Sequence, residues 1–477
     1  MSMSIYTLRN KILSGQLTAE HVTGRALENI RKNADVNAFI NVFDEDALEE
    51  ARNIDKKITA GESVGPLAGI PVAIKDNIAV KDRPMTCASA FLRDFVSPYD
   101  ATVAKRLRGA GAIIIGKTNM DEFAMGAANL NSAFGAVKNP LDKTRVSGGS
   151  SGGSAAAVSM DMCAAALGTD TGGSVRQPSA FCGVVGLKPT YSSVSRFGLT
   201  AFASSLDQIG PVTGNVRDNA LIFSIIAGKD GKDSTAADVK YDSQVTPVLK
   251  GRKIGVIREQ LRAPTLSREV ADDFEGALKI LSDAGAEIEY YDMPSFDAGI
   301  AAYFAISCAE ATTNLARFDG IRYGRRAAGD SYAEICARSR GEGFGREVKL
   351  RLMTGAYVLS GENYEKYYVK ALKVRAAIAA ALNDILKDCD FIAGPTSPVK
   401  PPRADFSAAT LKQKYYGDMY TVIANLAGNP SLSVPCGAGK LPSGLLFTGR
   451  MFDESTLFSA AYAFEKEREK CLHLKCE

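Results

Sequence analysis

Histidine is almost missing from this chain: of 477 residues only His21 and His473 are histidine, one near each end. That scarcity argues against a Ser-His-Asp or Cys-His enzyme and a histidine-based metal site, each of which needs an imidazole within bonding reach of a nucleophile or an ion. His21 lies in "TAEHVTGRALENIRKN", where the apolar spacing predicts an amphipathic helix with Thr18 as its N-cap, so His21 reads as structural. His473 lies in the polar tail. No run of about 18 apolar residues occurs, so no membrane span is predicted. The opening "MSMSIYTLRNKILSG" lacks the uninterrupted apolar core of a secretory leader. The net charge of +3 is too small to mark a nucleic-acid-binding surface by itself. The nine cysteines form no CxxC pair, their closest spacing being Cys471 to Cys476, and they read as reduced thiols of a cytoplasmic protein.

What is present is ordinary for a globular protein: 46% hydrophobic and 23% charged residues, enough apolar material for a sizeable core. The length admits two to four average domains or one large α/β domain. Residues 18–60 read as two helices, "GIPVAIKDN" (69–77) as an apolar strand ending on Lys75 and Asp76, and "AIIIG" (112–116) as the next strand. "RKIGVI" (252–257), the helix "SREVADDFEGALKILSDAG" and the strand "AEIEYYDM" form a βαβ-like unit. "CDFIAGPTSP", "SLSVPC" and "GLLFTGR" add strands near the C-terminus. This alternation predicts an α/β fold with a largely parallel sheet covered on both faces. The polar stretch 229–250 reads as a surface connection rather than a domain boundary.

"GAIIIGKT" (111–118) satisfies the literal P-loop pattern, but its four middle residues are the apolar strand itself, where a phosphate site needs a loop. Nucleotide binding is not expected there.

Two Gly/Ser clusters are more informative. "SGGSSGGSAAA" (147–157) has the composition of a flexible linker, yet a small-residue helical pattern and an apolar stretch follow it, and then "GTDTGGSVR" (168–176). Before Ser174, the pair Gly172-Gly173 lets backbone N–H groups converge, because glycine reaches conformations that other residues avoid. Convergent amides beside a serine make an oxyanion hole; the plainer alternative is a tight turn. With histidine missing, the base must be lysine, a carboxylate or another serine. Lys75, at a strand end, would have to be neutral to act, and lowering its pKa by about three units costs roughly 4 kcal/mol. Ser150 in the first cluster could relay the proton between Lys75 and Ser174.

The segments "GIPVAIKDN", "SGGSSGGSAAA" with Ser150 twenty-four positions before Ser174, "DTGGSVR" and "FCGVVGLKPT" together resemble the amidase signature family. The resemblance implies one domain over 1–477 with a large mixed, mostly parallel central sheet and helices on both faces. It also implies a Ser–cis-Ser–Lys triad. Ser174 would be the acyl-forming nucleophile, Ser150 the bridging serine after a cis peptide bond and Lys75 the base. Thr171, Gly172 and Gly173 would supply the oxyanion hole, and no metal is implied.

"MDEFAMG", "RFGLTAFASSLDQIGP", "NLARFDGIRYG", "GFGREVKLR" and "NLAGNPSLSVPCG" are similar, over essentially the whole chain, to one branch of that family. Its members are the glutamine-hydrolysing A subunits of tRNA-dependent amidotransferases. The branch implies glutamine as substrate and B and C subunits as partners in a heterotrimer. Its ammonia amidates mischarged Glu-tRNA(Gln) or Asp-tRNA(Asn), with tRNA held mainly by the partner. No cofactor is implied in this chain, since ATP and magnesium act on the partner subunit. Arg351 would pair with the glutamine α-carboxylate, Asp418 with its ammonium, and Tyr303 would contact the substrate, because a free amino acid presents two opposite charges. Ala127 and Ala128 stand where this branch often has serines, so no glutamine contact is carried onto those positions, and "YSSVSRFG" replaces a more usual Gly-Arg pair. A stand-alone amidase of the same family, acting on a small amide, is the alternative.

Overall fold

A computed structural model describes residues 3–405 and 416–473. Eleven strands form one sheet: β1 (Phe39–Val42), β2 (Pro71–Lys75), β3 (Ile113–Thr118), β4 (Ala165–Asp170), β5 (Val185–Lys188), β6 (Gln208–Thr213), β7 (Lys253–Ile257), β8 (Glu287–Tyr291), β9 (Phe391–Pro395), β10 (Ser431–Cys436) and β11 (Ser443–Thr448). Their order across the sheet is β1-β3-β2-β4-β6-β5-β10-β11-β9-β7-β8. β2, β3, β4, β5, β6, β9 and β11 are buried along their whole length, so both faces of the sheet are covered. That is why these segments read as continuous apolar or small-residue runs rather than alternating ones. The edge strand β8 is largely exposed, and its sequence EIEYY is correspondingly polar.

The large mixed sheet agrees with the expected α/β class; the balance of strand directions needs correcting. Only β2 with β3, β2 with β4, β7 with β8 and β7 with β9 pair in parallel. The other six junctions, including every one between β4 and β9, are antiparallel. Parallel pairing therefore belongs to the two flanks. The βαβ unit read from the sequence is one of them: the helix Arg268–Asp283, N-capped by Ser267, joins β7 to β8.

The two helices expected over 18–60 are Ala19–Lys32 and Asp44–Thr59, with Thr18 Oγ1 accepting the His21 N–H at 3.0 Å. Between them lies β1, four half-buried residues that pair with β3 and that periodicity cannot flag at such a length. Residues 229–250 carry no helix or strand and connect the helix Val216–Ile226 to β7. One hydrophobic cluster runs from Ile5 to Phe464 across the whole sheet.

β2 and β4 are adjacent and parallel, so their C-terminal ends open on the same edge of the sheet. Lys75 ends β2 and Asp170 ends β4. In open α/β sheets this edge is where ligands bind.

Candidate active site

The Gly/Ser tract is not a linker. Ser147, Ser150, Ser151 and Ser154 are all fully buried, and Gly152–Ser159 forms a helix that leads into β4. Small residues are needed because the helix lies against neighbouring backbone: a Cβ on Gly153 would come within 2.4 Å of Asn119 O and 2.5 Å of Ala38 O. The Gly149–Ser150 peptide bond is cis. Gln177 secures this corner, its Oε1 accepting the Gly149 N–H at 3.0 Å and its Nε2 donating to Ala127 O at 2.9 Å. Gly148, at φ +81°, could carry no side chain, since its Cβ would meet that same Oε1 at 2.5 Å.

Lys75, wholly buried, reaches into this corner. Its Nζ lies 2.8 Å from Ser150 Oγ, 2.8 Å from Ser151 Oγ and 2.8 Å from Thr169 Oγ1. Hydroxyls both donate and accept, so the same three neighbours can serve an amine or an ammonium. Burial pulls the Lys75 pKa down to about 7, against the opposing pull of Asp121, Asp170 and Asp207. A lysine so placed can act as a base near neutrality. Ser151 and Thr169 were not singled out from the sequence, although Ser151 lies in the same tract. Nothing local says which of several adjacent serines faces the lysine.

Ser174 follows β4 in the turn that leads to the helix Arg176–Cys182. It retains 8% exposure where Lys75 and Ser150 have none, and its carbonyl accepts the Ser151 N–H at 3.1 Å. The turn is built around Asp170, another group the sequence reading passed over. Its carboxylate accepts the N–H groups of Gly173 at 2.9 Å and Val175 at 3.1 Å and is paired bidentately with Arg176. Asn425 donates to Asp170 Oδ1 at 2.9 Å and accepts from Arg176 at 2.6 Å. Burial alone would raise the Asp170 pKa; Arg176 and Asn425 outweigh it and hold the carboxyl far below the usual carboxylate range. Of the three residues expected at the oxyanion hole, Gly173 donates its N–H to Asp170 Oδ1, and Thr171 has its hydroxyl on Asp207 Oδ1 at 2.7 Å.

Tyr303, Arg351 and Asp418 come from distant elements. Tyr303 lies in the helix Gly299–Asn314 and packs its ring over Gly172, where a Cβ would approach Tyr303 Cζ to 2.6 Å. Thr421 Oγ1 lies 2.6 Å from Gly172 O and 3.0 Å from Asp418 O, its single proton available to either carbonyl, which ties the Asp418 turn to the same glycine. Arg351, buried in the helix Arg346–Val358, donates Nε–H to Glu347 Oε1 at 3.1 Å. Its guanidinium lies 5.5 Å from the Phe202 ring centroid and 5.2 Å from that of Phe304. Burial pushes the Asp418 carboxyl up to about 7 despite the pull of Arg351. Burial likewise raises the Tyr303 phenol, against Arg351. The three side chains thus share one electrostatic neighbourhood above the Ser174 turn. Glu347, Phe202 and Phe304 escaped the sequence reading, although Glu347 precedes Arg351 at the i, i+4 spacing of a helical ion pair.

His21 is exposed on its helix, and the His473 side chain lies outside the described residues. In "GAIIIGKT", Ile113–Thr118 is β3, and Lys117 is buried with its Nζ 2.6 Å from Ile78 O and 3.5 Å from Asp76 Oδ1. No loop is there to wrap a phosphate. Among the described residues no group of three or more His, Cys, Asp or Glu could hold a metal ion, and no helix is long and apolar enough to cross a membrane.

The family model for amidases matches residues 21–458, so the chain belongs to the amidase family. It is 47% identical over 473 residues to the A subunit of the glutamyl-tRNA(Gln) amidotransferase of Alkaliphilus metalliredigens, covering 98% of this chain and 96% of that one. Among solved structures, the A subunit of the Thermotoga maritima glutamyl-tRNA(Gln) amidotransferase superposes with a TM-score of 0.80 at 41% identity, over 98% of this chain and 94% of that one. The peptide amidase of Stenotrophomonas maltophilia gives a TM-score of 0.81 at 29% identity, over 98% of this chain and 97% of that one. Backbone likeness therefore does not separate the two activities, whereas sequence identity does.

Proposed function

We propose that this chain is the glutamine-hydrolysing A subunit of a tRNA-dependent amidotransferase, releasing ammonia through an acyl-enzyme on Ser174. One observation carries the reading beyond the family. Arg351 and Asp418 both act electrostatically on Tyr303, whose ring lies against Gly172, and Arg351 pulls on the Asp418 carboxyl. A buried cation and a buried carboxylate in one electrostatic neighbourhood complement the α-carboxylate and ammonium of a free amino acid. A peptide or a simple amide offers no such pair.

In this scheme neutral Lys75 accepts the Ser150 proton while Ser150 accepts that of Ser174, whose Oγ attacks the glutamine carboxamide carbon. The Thr171 and Gly172 amides receive the negative charge that develops on the oxygen. The proton held on Lys75 returns through Ser150 to the leaving nitrogen, ammonia departs, and water hydrolyses the glutamyl ester of Ser174 to glutamate. The partner subunits, B with ATP and magnesium and C completing a heterotrimer, spend that ammonia on mischarged Glu-tRNA(Gln) or Asp-tRNA(Asn).

The test is the assembled complex carrying Ser174→Ala, assayed for amidated tRNA with glutamine or ammonium chloride as nitrogen donor. Glutamine-driven amidation should vanish while ammonium-driven amidation persists. Loss of both in a complex shown to be assembled would sink the reading in favour of a stand-alone amidase.

A further inference from the structure

Glu122 is a buried carboxylate with no part in the chemistry above, 2% exposed, in the single turn Glu122–Ala124. Its Oε1 accepts the Ser89 hydroxyl, and its Oε2 accepts the Gly345 N–H at 2.8 Å. Gly345 is the N-cap of the helix Arg346–Val358, has no side chain to cap that helix, and lies six positions before Arg351. A capping-box glutamate normally reaches back to the N-cap N–H from inside its own helix. Here the same contact comes from a residue 223 positions away.

The surroundings make this contact rigid. A Cβ at Gly345 would lie 2.4 Å from Glu122 Oε2, so only glycine lets the carboxylate come so close. Phe344, next to Gly345, stacks on Phe91 at 5.0 Å between centroids and meets Phe123, next to Glu122, at 5.5 Å. The residue before Glu122 holds the other half of the site. Asp121 donates its N–H to Ser150 O at 3.2 Å, and its carboxylate accepts the N–H groups of Asn129 at 2.9 Å and Asn131 at 3.1 Å. Two adjacent residues thus fasten two separate parts to one short turn: Asp121 holds the Ser150 corner through its backbone N–H, and Glu122 holds the start of the Arg351 helix through its carboxylate.

We propose that Glu122 is a positioning residue for glutamine: through the Gly345 N–H it sets where the Arg351 helix begins and therefore where Arg351 stands relative to Ser174. The inference rests on reading Arg351 as the partner of the glutamine α-carboxylate. It assigns Glu122 to substrate affinity and leaves the proton relay to Lys75 and Ser150.

The experiment compares Glu122→Met and Glu122→Gln in the assembled complex by glutamine hydrolysis, with Arg351→Ala in parallel. Methionine matches the length among the phenylalanines but cannot replace the carboxylate as acceptor; the glutamine side chain still offers Oε1 to Gly345. Loss of this buried hydrogen bond corresponds to a KM for glutamine about tenfold higher in the Met variant, with kcat within about twofold. The Gln variant should stay within about threefold of wild type in both. A wild-type KM in the Met variant, a fall in kcat as large as the rise in KM, a Gln variant as impaired as Met, or failure of the Met variant to assemble would each overturn the inference. If Arg351→Ala itself leaves glutamine KM unchanged, the premise about Arg351 falls. A defect in Arg351→Ala beside unaltered Glu122 variants removes the positioning role alone.

Discussion

Lys75 Nζ stands 2.8 Å from Ser150 Oγ, with neither side chain exposed to solvent. Among the described side chains no imidazole replaces this contact, since His21 lies exposed on its helix. Lys75→Ala should therefore lower glutamine hydrolysis by about 10²–10⁴, the usual worth of a positioned proton-transfer group. His21→Ala should leave it within about twofold. Steady-state glutaminase assays on assembled complexes check both, and a severe defect in His21→Ala with the fold preserved would contradict the lysine relay.

The pH profile should show two acidic limbs with separate origins. Burial lowers Lys75 to about 7, so the base is lost to protonation as pH falls through that value. Asp418 is raised to about 7, so its charge is also lost as pH falls, and with it the pull on the substrate ammonium. In the complex the bound ammonium keeps Asp418 ionised. Hence kcat should show the Lys75 limb alone, and kcat/KM both. Asp418→Asn should remove one limb from kcat/KM and leave the acidic limb of kcat in place. Both profiles unchanged in Asp418→Asn would refute the assignment.

Arg351 should act on affinity for the charged end of the substrate. Removing it leaves a desolvated carboxylate without its partner, about 2–5 kcal/mol by analogy with buried interfacial pairs. Arg351→Ala should lower kcat/KM for glutamine correspondingly and barely alter hydrolysis of an amide that lacks the α-carboxylate. Ammonium chloride should restore tRNA amidation. Equal losses on both amides would show that Arg351 serves the fold instead.

The Asp170–Arg176 pair is wholly buried and organises the Ser174 turn. Arg176→Ala leaves a buried carboxylate uncompensated, which typically costs about 3–5 kcal/mol. Chemical denaturation of the isolated chain should record a destabilisation of that order, with loss of glutamine hydrolysis. A variant of native stability would mean that Asn425 and the turn amides suffice to hold Asp170.

The sequence by itself determined the local chemistry and the local elements. β2 and β3 are continuous apolar runs because both their faces are covered, Thr18 caps its helix through its own hydroxyl, and the β7–helix–β8 unit shows its periods in order. The scarcity of histidine and the spacing of the two Gly/Ser clusters were equally plain, since residue type and short-range spacing carry them. What only the tertiary structure decided depends on long-range juxtaposition. An apolar run does not record the direction of its neighbour, so the antiparallel centre of the sheet could not be read. Ser151 shares the lysine with Ser150, Gly173 gives its amide to Asp170, and Glu122 meets Gly345 from 223 positions away. Each of these depends on which backbone and side-chain groups burial leaves face to face, and that is settled only when the sheet order brings remote segments to one edge.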